Sequence, residues 1–172
     1  MEELEIEQKA IEGDDEAFLA VIRLHKEPLL RAALAFLKDE HAAIEALQEV
    51  TYRAYKKIHT VKEPAYLKTW LTRIMINYCQ DQLKRRKRII SDNRLQETFV
   101  HQDQSFLELK EALGMLSNED QQLIYLKYFQ NTKIKEIAAL EKIPEGTVKS
   151  RLHTVLKKLR LYFKEKGESE HV

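Results

Sequence analysis

The first group of residues whose types and spacing could do chemistry is acidic. Glu45, Gln48 and Glu49 fall within one helical turn, so two carboxylates and an amide would project from adjacent positions of a helix. Paired carboxylates can hold a metal ion or exchange protons. Neither carboxylate has a histidine in the Glu-x-x-His spacing of di-iron bundles, so the sequence favours an acidic surface that faces a protein or solvent.

The second group is a block of cations at the end of an aromatic helix pattern. The segment KTWLTRIMINYCQDQLKRRKR places Trp70 and Tyr78 on its apolar side and ends in five consecutive cations, Lys84 to Arg88. Cations attract phosphates and exposed rings can stack on unpaired bases, a combination typical of nucleic-acid binding. Taken singly, Trp70 is more typical of a core residue, and the cation run is more typical of a solvated surface.

The third group lies in PEGTVKSRLHTVLKKLR, residues 144–160, where a cationic helix pattern follows Pro144. Six Lys or Arg occur from Lys142 to Arg160 against one acid, Glu145. Apolar residues keep to one face at positions 148, 152, 156 and 159. The opposite face presents hydroxyls, an imidazole and cations, which are what a recognition helix offers to the major groove: Gly146, Ser150, His153 and Lys157, flanked by Thr147, Lys149 and Thr154.

The segment KIKEIAALE precedes this helix across a short turn, so residues 133–152 have the pattern of a helix-turn-helix. Gly146 would let the backbone approach DNA closely, and the free amides of the first turn would favour a phosphate. The alternative is a terminal helix whose basic face is only solvated. The pattern favours DNA binding.

Charge is partitioned along a chain whose formal net charge is only +1. Residues 1–60 carry 8 basic and 13 acidic groups and residues 91–130 carry 3 and 7, so both are acidic. Residues 61–90 carry 8 basic and 2 acidic groups and residues 131–172 carry 10 and 6, so both are basic. The two basic blocks therefore indicate polyanionic partners, although the net charge of the whole chain does not.

Several classes of protein are not expected from the composition. The single cysteine, Cys79, cannot form an intrachain disulfide, and no Cys/His spacing suggests a metal site. The acidic start of the chain lacks the pattern of a secretory signal, and no apolar run reaches the roughly 18 residues that a membrane span needs. These features favour a cytoplasmic protein without a metal. Since the sequence shows neither a glycine-rich phosphate loop nor a nucleophile with its base, we expect that the protein is not an enzyme and has no cofactor.

Apolar residues recur at intervals of three and four, which predicts an all-α fold. Pro28 and Pro64 are expected to break or start helices. The first ninety residues should form a cluster of three or four helices. The apolar stripes expected to form its core are Phe18, Val21, Ile22 and His25, then Leu30, Leu34 and Leu37, then Ile44, Leu47, Tyr52, Tyr55 and Ile58, and finally Leu67, Leu71, Ile74 and Tyr78.

Two small helical domains joined by a flexible linker are expected. Residues 1–90 form the first, the polar and aperiodic residues 91–104 the linker, and residues 105–172 the second. Ser117 is predicted to cap one helix of the second domain, with a carboxylate three residues on. Thr132 is predicted to cap the helix KIKEIAALE.

Together the three motifs, in this order, resemble a bacterial sigma factor of the extracytoplasmic-function (ECF) group, from about Asp15 to Phe163. The segment EALQEV resembles the polymerase-binding helix of this family, and WLTRIMINYCQDQLKRRKR matches its helix for the minus-10 promoter element. LSNEDQQLIYLKYFQNTKIKEIAALEKIPEGTVKSRL is similar to its second domain. One helix-turn-helix alone would be weak support, whereas three motifs in register identify the family.

The resemblance implies roles for individual residues. The segment His59 to Tyr66 would be the loop that captures an unpaired base. The surface that docks on the largest polymerase subunit would comprise Glu45, Gln48, Glu49, Tyr52 and Arg53. Minus-10 recognition would involve Tyr66, Trp70, Asn77, Asp81, Lys84, Arg85 and Arg88. Minus-35 recognition would involve Thr147, Lys149, Ser150, Arg151, His153, Thr154 and Lys157.

The sequence departs from the family pattern at a few positions. Ile44 stands where an acid is common, and Met75 where a small residue is usual. In the recognition helix Thr154 replaces a frequent Arg, and Val155 and Leu156 replace the usual Ala-Arg. Losing that Arg removes a candidate bidentate contact to guanine, so the promoter sequence does not follow by analogy.

The resemblance implies core RNA polymerase and promoter DNA as partners, with no small-molecule substrate. It also implies an anti-sigma factor, in many members anchored in a membrane, and a role in a stress or envelope response. The main alternative is a helix-turn-helix regulator that binds duplex DNA without polymerase, as a dimer. A third reading is a helical adaptor whose basic blocks are only solvated surface.

Overall fold

The fold is described from a computed structural model that covers residues 2–93, 108 and 111–169. The chain divides into two compact units, Met1–Arg94 and Leu95–Val172. Every regular element in the described residues is helical and none is a strand, which confirms the predicted all-α class.

The first unit contains helices α1 (Glu2–Ile11), α2 (Asp15–Leu37), α3 (Glu40–Lys57) and α4 (Leu67–Asn93). Two short 3₁₀ turns, Ile58–Thr60 and Pro64–Tyr66, connect α3 to α4. Helix α2 packs against all three of the others. Aspartates fix two of the helix starts, because Asp14 accepts a hydrogen bond from the Ala17 amide at 2.7 Å and Asp39 accepts one from the Ala42 amide at 3.1 Å.

The expectation that Pro28 breaks or starts a helix is wrong, since Pro28 lies inside α2. A proline within a helix removes one hydrogen bond and costs roughly 3 kcal/mol. Helix α2 packs on three neighbours, and this packing outweighs the local cost. Pro64, in contrast, opens the second 3₁₀ turn just ahead of α4.

The predicted core stripes are partly wrong in α2 and α3. Leu34, Ile44, Tyr52 and Tyr55 are all more than 40% exposed. Small residues occupy the buried faces instead, together with Leu29, Val50 and Ile58: Ala32, Ala33, Ala43, Ala46 and Ala54. Small side chains let helices approach closely, so they can set the contact face although they contribute little to a hydrophobic pattern.

Helix α4 also buries a different set from the predicted stripe. Leu67 and Leu71 are buried as predicted, but Ile74 and Tyr78 are only half-buried. Met75, Ile76 and Cys79 fill the core in their place. The other face of α4 is exposed to solvent.

The second unit contains α5 (Asn118–Ile124), a π-helical turn (Tyr125–Phe129), α6 (Ile134–Glu141) and α7 (Glu145–Ser169). Its core is one apolar cluster built around Leu126, Ile137 and Val148. The predicted cap is confirmed at Ser117, whose hydroxyl accepts a hydrogen bond from the Asp120 amide at 3.2 Å.

The predicted cap at Thr132 is wrong. Lys133 occupies the N-cap position of α6 and makes no side-chain capping hydrogen bond. The Thr132 amide donates to the Leu126 carbonyl at 2.8 Å, and this turn leaves the Thr132 side chain buried. The buried Thr132 hydroxyl makes no hydrogen bond, so it does not cap the free amides of α6.

Helix α4 ends at Asn93, so its last residues overlap the start of the predicted linker. The rest of the linker, from residue 94 to residue 104, lies outside the described residues. Among the helices that are described, none combines the length and the apolar character that crossing a membrane requires.

Candidate nucleic-acid and polymerase interfaces

A short turn joins α6 to α7 and sets the geometry of the second unit's exposed helix. Helix α6 ends at Lys142, which has left-handed backbone angles (φ 57°) and whose amide donates to the Ala138 carbonyl. Pro144 then begins the next helix by accepting hydrogen bonds from the amides of Thr147 at 3.0 Å and Val148 at 3.3 Å. Two helices packed on one another across such a turn form a helix-turn-helix.

The exposed face of α7 carries the residues predicted to read DNA. The side chains of Lys149, Ser150, Arg151, His153, Thr154 and Lys157 are exposed, and Thr147 is half-buried. Val148 and Leu152 are buried as predicted, whereas Val155 rather than Leu156 completes the buried face. The core therefore fixes the rotation of α7, and one polar and cationic face is left for a ligand.

Two contacts on α7 restrict what its side chains can offer. The Arg151 guanidinium pairs with Glu141 of α6, with Nη1 to Oε2 at 3.3 Å. The Thr154 hydroxyl donates to the Ser150 carbonyl at 3.0 Å. Thr154 therefore has its donor engaged within the helix, and its methyl group and the lone pairs of its hydroxyl oxygen are left to contact a base.

The second cationic surface lies on α4. Trp70, Asn77, Asp81, Lys84 and Arg88 follow one another at intervals of seven, four, three and four residues, so they share one face of the helix. From Asn77 onward these side chains are exposed, and Arg85 beside them is exposed too. Tyr66, the last residue of the second 3₁₀ turn, and Trp70, in the first turn of α4, are half-buried.

The opposite side of α4 is closed to solvent. Cys79 is fully buried, and its Sγ lies 3.7 Å from Met75 Sδ. Burial raises the pKa of the Cys79 thiol to about 12, so the thiol stays protonated and inert. This face anchors the helix and leaves the cationic face to the solvent side.

The acidic group of α3 lies on an exposed face where each of the two carboxylates has a side-chain partner on the same helix. Arg53 Nε lies 2.9 Å from Glu49 Oε1, and His41 Nε2 lies 3.4 Å from Glu45 Oε1. The Arg53 guanidinium is also 5.1 Å from the centre of the Tyr78 ring on α4. Burial and the charge of Glu49 raise the pKa of Tyr78, while Arg53 opposes them. Gln48 and Tyr52 complete the exposed face.

Sequence reasoning missed two large apolar members of this α3 face. Ile44 is 46% exposed and Tyr55 is 52% exposed, although both were expected in the core. The Tyr55 hydroxyl donates to Asp15 Oδ1 at 2.9 Å, and this hydrogen bond raises the pKa of Tyr55. The spacing of Ala43, Ala46 and Ala54 could have predicted this exposure, because these small residues mark the side of α3 that packs against other helices.

The fold and these surfaces define a class: a helical DNA-binding protein with a helix-turn-helix in one unit and a second cationic helix in the other. The family model described as sigma-70 region 2 matches residues 21–89, and the one described as sigma-70, region 4 matches residues 106–159. The chain belongs to the sigma-70 family, in its ECF group.

Curated relatives match along most of both chains. The RNA polymerase sigma factor SigV of Bacillus subtilis is 28% identical over 141 residues, which are 80% of this chain and 85% of SigV. The ECF RNA polymerase sigma factor SigW of the same organism is 26% identical over 167 residues, covering 86% and 89% of the two chains.

Solved structures agree in fold. The chain is similar to CnrH, solved with the cytosolic domain of CnrY, with a TM-score of 0.64 and 20% identity over 95% of this chain and 97% of that one. It is also similar to the sigma factor RpoE of Bartonella quintana, solved with the anti-sigma factor NepR, with a TM-score of 0.61 and 24% identity over 86% and 96%.

Proposed function

We propose that this chain is an alternative sigma factor that binds core RNA polymerase and directs initiation at promoters with its own minus-10 and minus-35 elements. The observation that carries the proposal is the order of the two family matches, region 2 and then region 4, each containing one exposed cationic helix face. Residues 1–90 serve as the region 2 domain, 91–104 as the linker and 105–172 as the region 4 domain.

The α3 face binds the polymerase. Its residues alternate acid, amide and aromatic groups along one side of the helix: Glu45, Gln48, Glu49, Tyr52 and Arg53. The exposed Ile44 and Tyr52 supply apolar area that becomes buried on binding. The ion pair between Arg53 and Glu49 holds both groups in position before the partner arrives.

Helix α4 and the turns before it bind the minus-10 element. The aromatic residues Tyr66 and Trp70 are half-buried, and in this proposal they stack on unpaired bases while Asn77 and Asp81 contact the strand farther along α4. Beyond them, Lys84, Arg85 and Arg88 contact phosphates. Cations at the end of the helix supply affinity, and the residues nearer its start supply choice of sequence.

Helix α7 reads the minus-35 element in the major groove. Lys149, Ser150 and His153 lie in its exposed N-terminal half and contact base edges, and Thr147 and Lys157 contact the backbone. Thr154 contacts through its methyl group, which suits thymine. Arg151 is held toward α6 by Glu141 and acts on the phosphate side.

The chain performs no chemistry of its own in this proposal. The polymerase carries out nucleotidyl transfer, and the sigma factor supplies positioning and promoter choice in the cytoplasm, where the polymerase acts. Two similar folds were solved with an anti-sigma factor or with the cytosolic domain of CnrY. We extend this to a protein partner that holds the chain inactive until a stress or envelope signal releases it.

The test is promoter-directed transcription with purified core enzyme across a salt series, with start sites mapped by run-off. Added protein should create new start sites, and Tyr52→Ala should weaken binding to core enzyme without DNA by about tenfold, because aromatic anchors dominate interfaces. Lys38→Ala, an exposed change at the end of α2, is the matched control.

The competing reading, a regulator that acts without polymerase, predicts a different result. Such a protein would bind a duplex site alone and sediment as a dimer. If the chain neither binds core enzyme nor changes start sites, the proposed function is wrong.

A further inference from the structure

The contact between α1 and α2 contains two buried ionisable side chains that the proposed function does not use. Glu7 on α1 and His25 on α2 are each only 4% exposed. His25 Nε2 lies 3.0 Å from Glu7 Oε1. Burying a carboxylate and an imidazole costs free energy that one hydrogen bond restores only in part. An apolar pair would join the helices without that cost, so the pair requires an explanation.

A second carboxylate, that of Glu3, lies close to the buried pair of Glu7 and His25. Glu3 lies one helical turn before Glu7 on α1, so both carboxylates share the face that meets α2. The ligand atoms of Glu3, Glu7 and His25 all lie within 4.8 Å of one another. Burial and the nearby charge of Glu3 raise the pKa of Glu7, while His25 opposes them. Two carboxylates and an imidazole therefore lie close together where α1 meets α2.

We infer that Glu3, Glu7 and His25 form a binding site for a divalent cation of the zinc type. Zinc takes imidazole nitrogen and carboxylate oxygen at about 2.0–2.2 Å, so two of its ligands in tetrahedral geometry lie about 3.3 Å apart. The 3.0 Å between His25 Nε2 and Glu7 Oε1 is close to this spacing. A cation between them would satisfy both buried groups and the neighbouring carboxylate together.

The surroundings suit this cation. The exposed side chain of Glu3 lies at the rim of the buried pair, so an ion can reach the site from solvent, and a water molecule can complete the coordination. An imidazole ligand favours zinc over magnesium, which prefers oxygen and retains its water. Glu3 and Glu7 precede the region 2 match, which begins at residue 21, so the family description does not account for them.

Binding at this site would affect more than α1. The cation would join α1 to α2, and α1 also contacts the two 3₁₀ turns, Ile58–Thr60 and Pro64–Tyr66. Because an ion that binds only the docked helix stabilises that state by mass action, its binding should slow local opening of α1 and of both turns.

The test uses the full chain, stripped of metal with a chelator and titrated with Zn²⁺ by calorimetry. The wild type should bind one ion at this site, and Glu3→Gln should lower the affinity at least about tenfold, since even outer-shell partners contribute that much. Glu3 is exposed, so this variant keeps the fold. Glu5→Gln is the matched control, because Glu5 lies on the same helix and pairs with Lys9 at 3.1 Å.

Hydrogen exchange provides a second measurement. Zn²⁺ should slow amide exchange in α1 and in the two 3₁₀ turns of the wild type and of Glu5→Gln, and not of Glu3→Gln, whereas Mg²⁺ should change none of them. Equal Zn²⁺ affinity in the wild type and Glu3→Gln, an equal loss in Glu5→Gln, or no binding would overturn the site. Because neither measurement involves polymerase or DNA, their outcome is independent of the proposed function.

Discussion

The two cationic helices carry their charge in different ways. At the end of α4, Lys84 to Arg88 are consecutive and all exposed, so they point in every direction around the helix axis. In α7 the cations alternate with hydroxyls, an imidazole and the buried residues Val148, Leu152 and Val155, so only one face is available. A helix that is charged all round can meet phosphates from any side, whereas a helix held by its core presents one register to the bases.

We propose that this difference gives the two surfaces separate tasks. Phosphate contacts supply affinity that depends on salt and not on sequence, and base contacts supply sequence choice. We therefore expect changes in the α4 cations to alter affinity on all promoters, and changes in α7 to alter the preferred base.

Removing three α4 cations should give the largest loss. The triple variant Lys84→Gln, Arg85→Gln and Arg88→Gln removes three proposed phosphate contacts, so the magnitude of the log–log salt slope of promoter binding by the holoenzyme should fall by about 2 to 3. The loss should be similar on different promoters. Binding is measured by fluorescence anisotropy across a salt series.

A second triple variant controls for total charge. Arg23→Gln, Lys26→Gln and Arg31→Gln remove three exposed cations from α2, in the same unit but on another helix. An equal fall in slope in this variant would show that net charge, and not the end of α4, determines affinity.

Changing Thr154 should alter base preference. Thr154→Arg restores a side chain that can bind guanine with two hydrogen bonds, which is worth about 1–3 kcal/mol of discrimination at one base pair. Start-site mapping on a library of minus-35 sequences should show preference for guanine at one position and unchanged preference elsewhere.

Thr154→Val is the matched variant. The Thr154 hydroxyl donates to the Ser150 carbonyl, so valine keeps the exposed methyl and removes a hydroxyl whose donor is already used within the helix. Its promoter preference should match the wild type. A changed preference in Thr154→Val would mean that the hydroxyl itself reads the DNA.

Releasing Arg151 should have a smaller effect. Glu141→Gln removes the partner of a half-exposed ion pair, which is worth at most about 1 kcal/mol. The freed guanidinium should strengthen DNA binding slightly and make it more dependent on salt. The same salt series measures this, and weaker binding in Glu141→Gln would show that the pair positions Arg151 for its contact.

Cys79, on the buried side of α4, should react hardly at all with a thiol reagent in the folded protein. Burial raises the pKa of Cys79 to about 12, so this thiol should not react with a disulfide reagent at pH 8 in the folded protein. Full reaction should follow unfolding in guanidinium. As pH rises above the thiol's ordinary pKa near 9, ionisation favours the unfolded chain, so stability should fall. Rapid reaction in the native state would mean that α4 is not anchored as described.

The sequence by itself determined the helical class, the cap at Ser117, the helix-turn-helix and the exposed polar face of α7. These follow from local spacing, because a helix places residues three and four apart on one side whatever surrounds it. The motifs that identify the family are equally local, and they could be read together from EALQEV, WLTRIMINYCQDQLKRRKR and GTVKSRL.

Only the tertiary structure decided which side of each helix is buried in the first unit. Ile44 and Tyr55 have a core-like pattern, yet they face solvent because Ala43, Ala46 and Ala54 let α3 pack closely. Helix α2 continues past Pro28 because it packs on three neighbouring helices. The fold also brings Glu7 into contact with His25, which lies 18 residues farther along the chain. Such contacts depend on how helices pair, and spacing along one helix carries no information about the helix beside it.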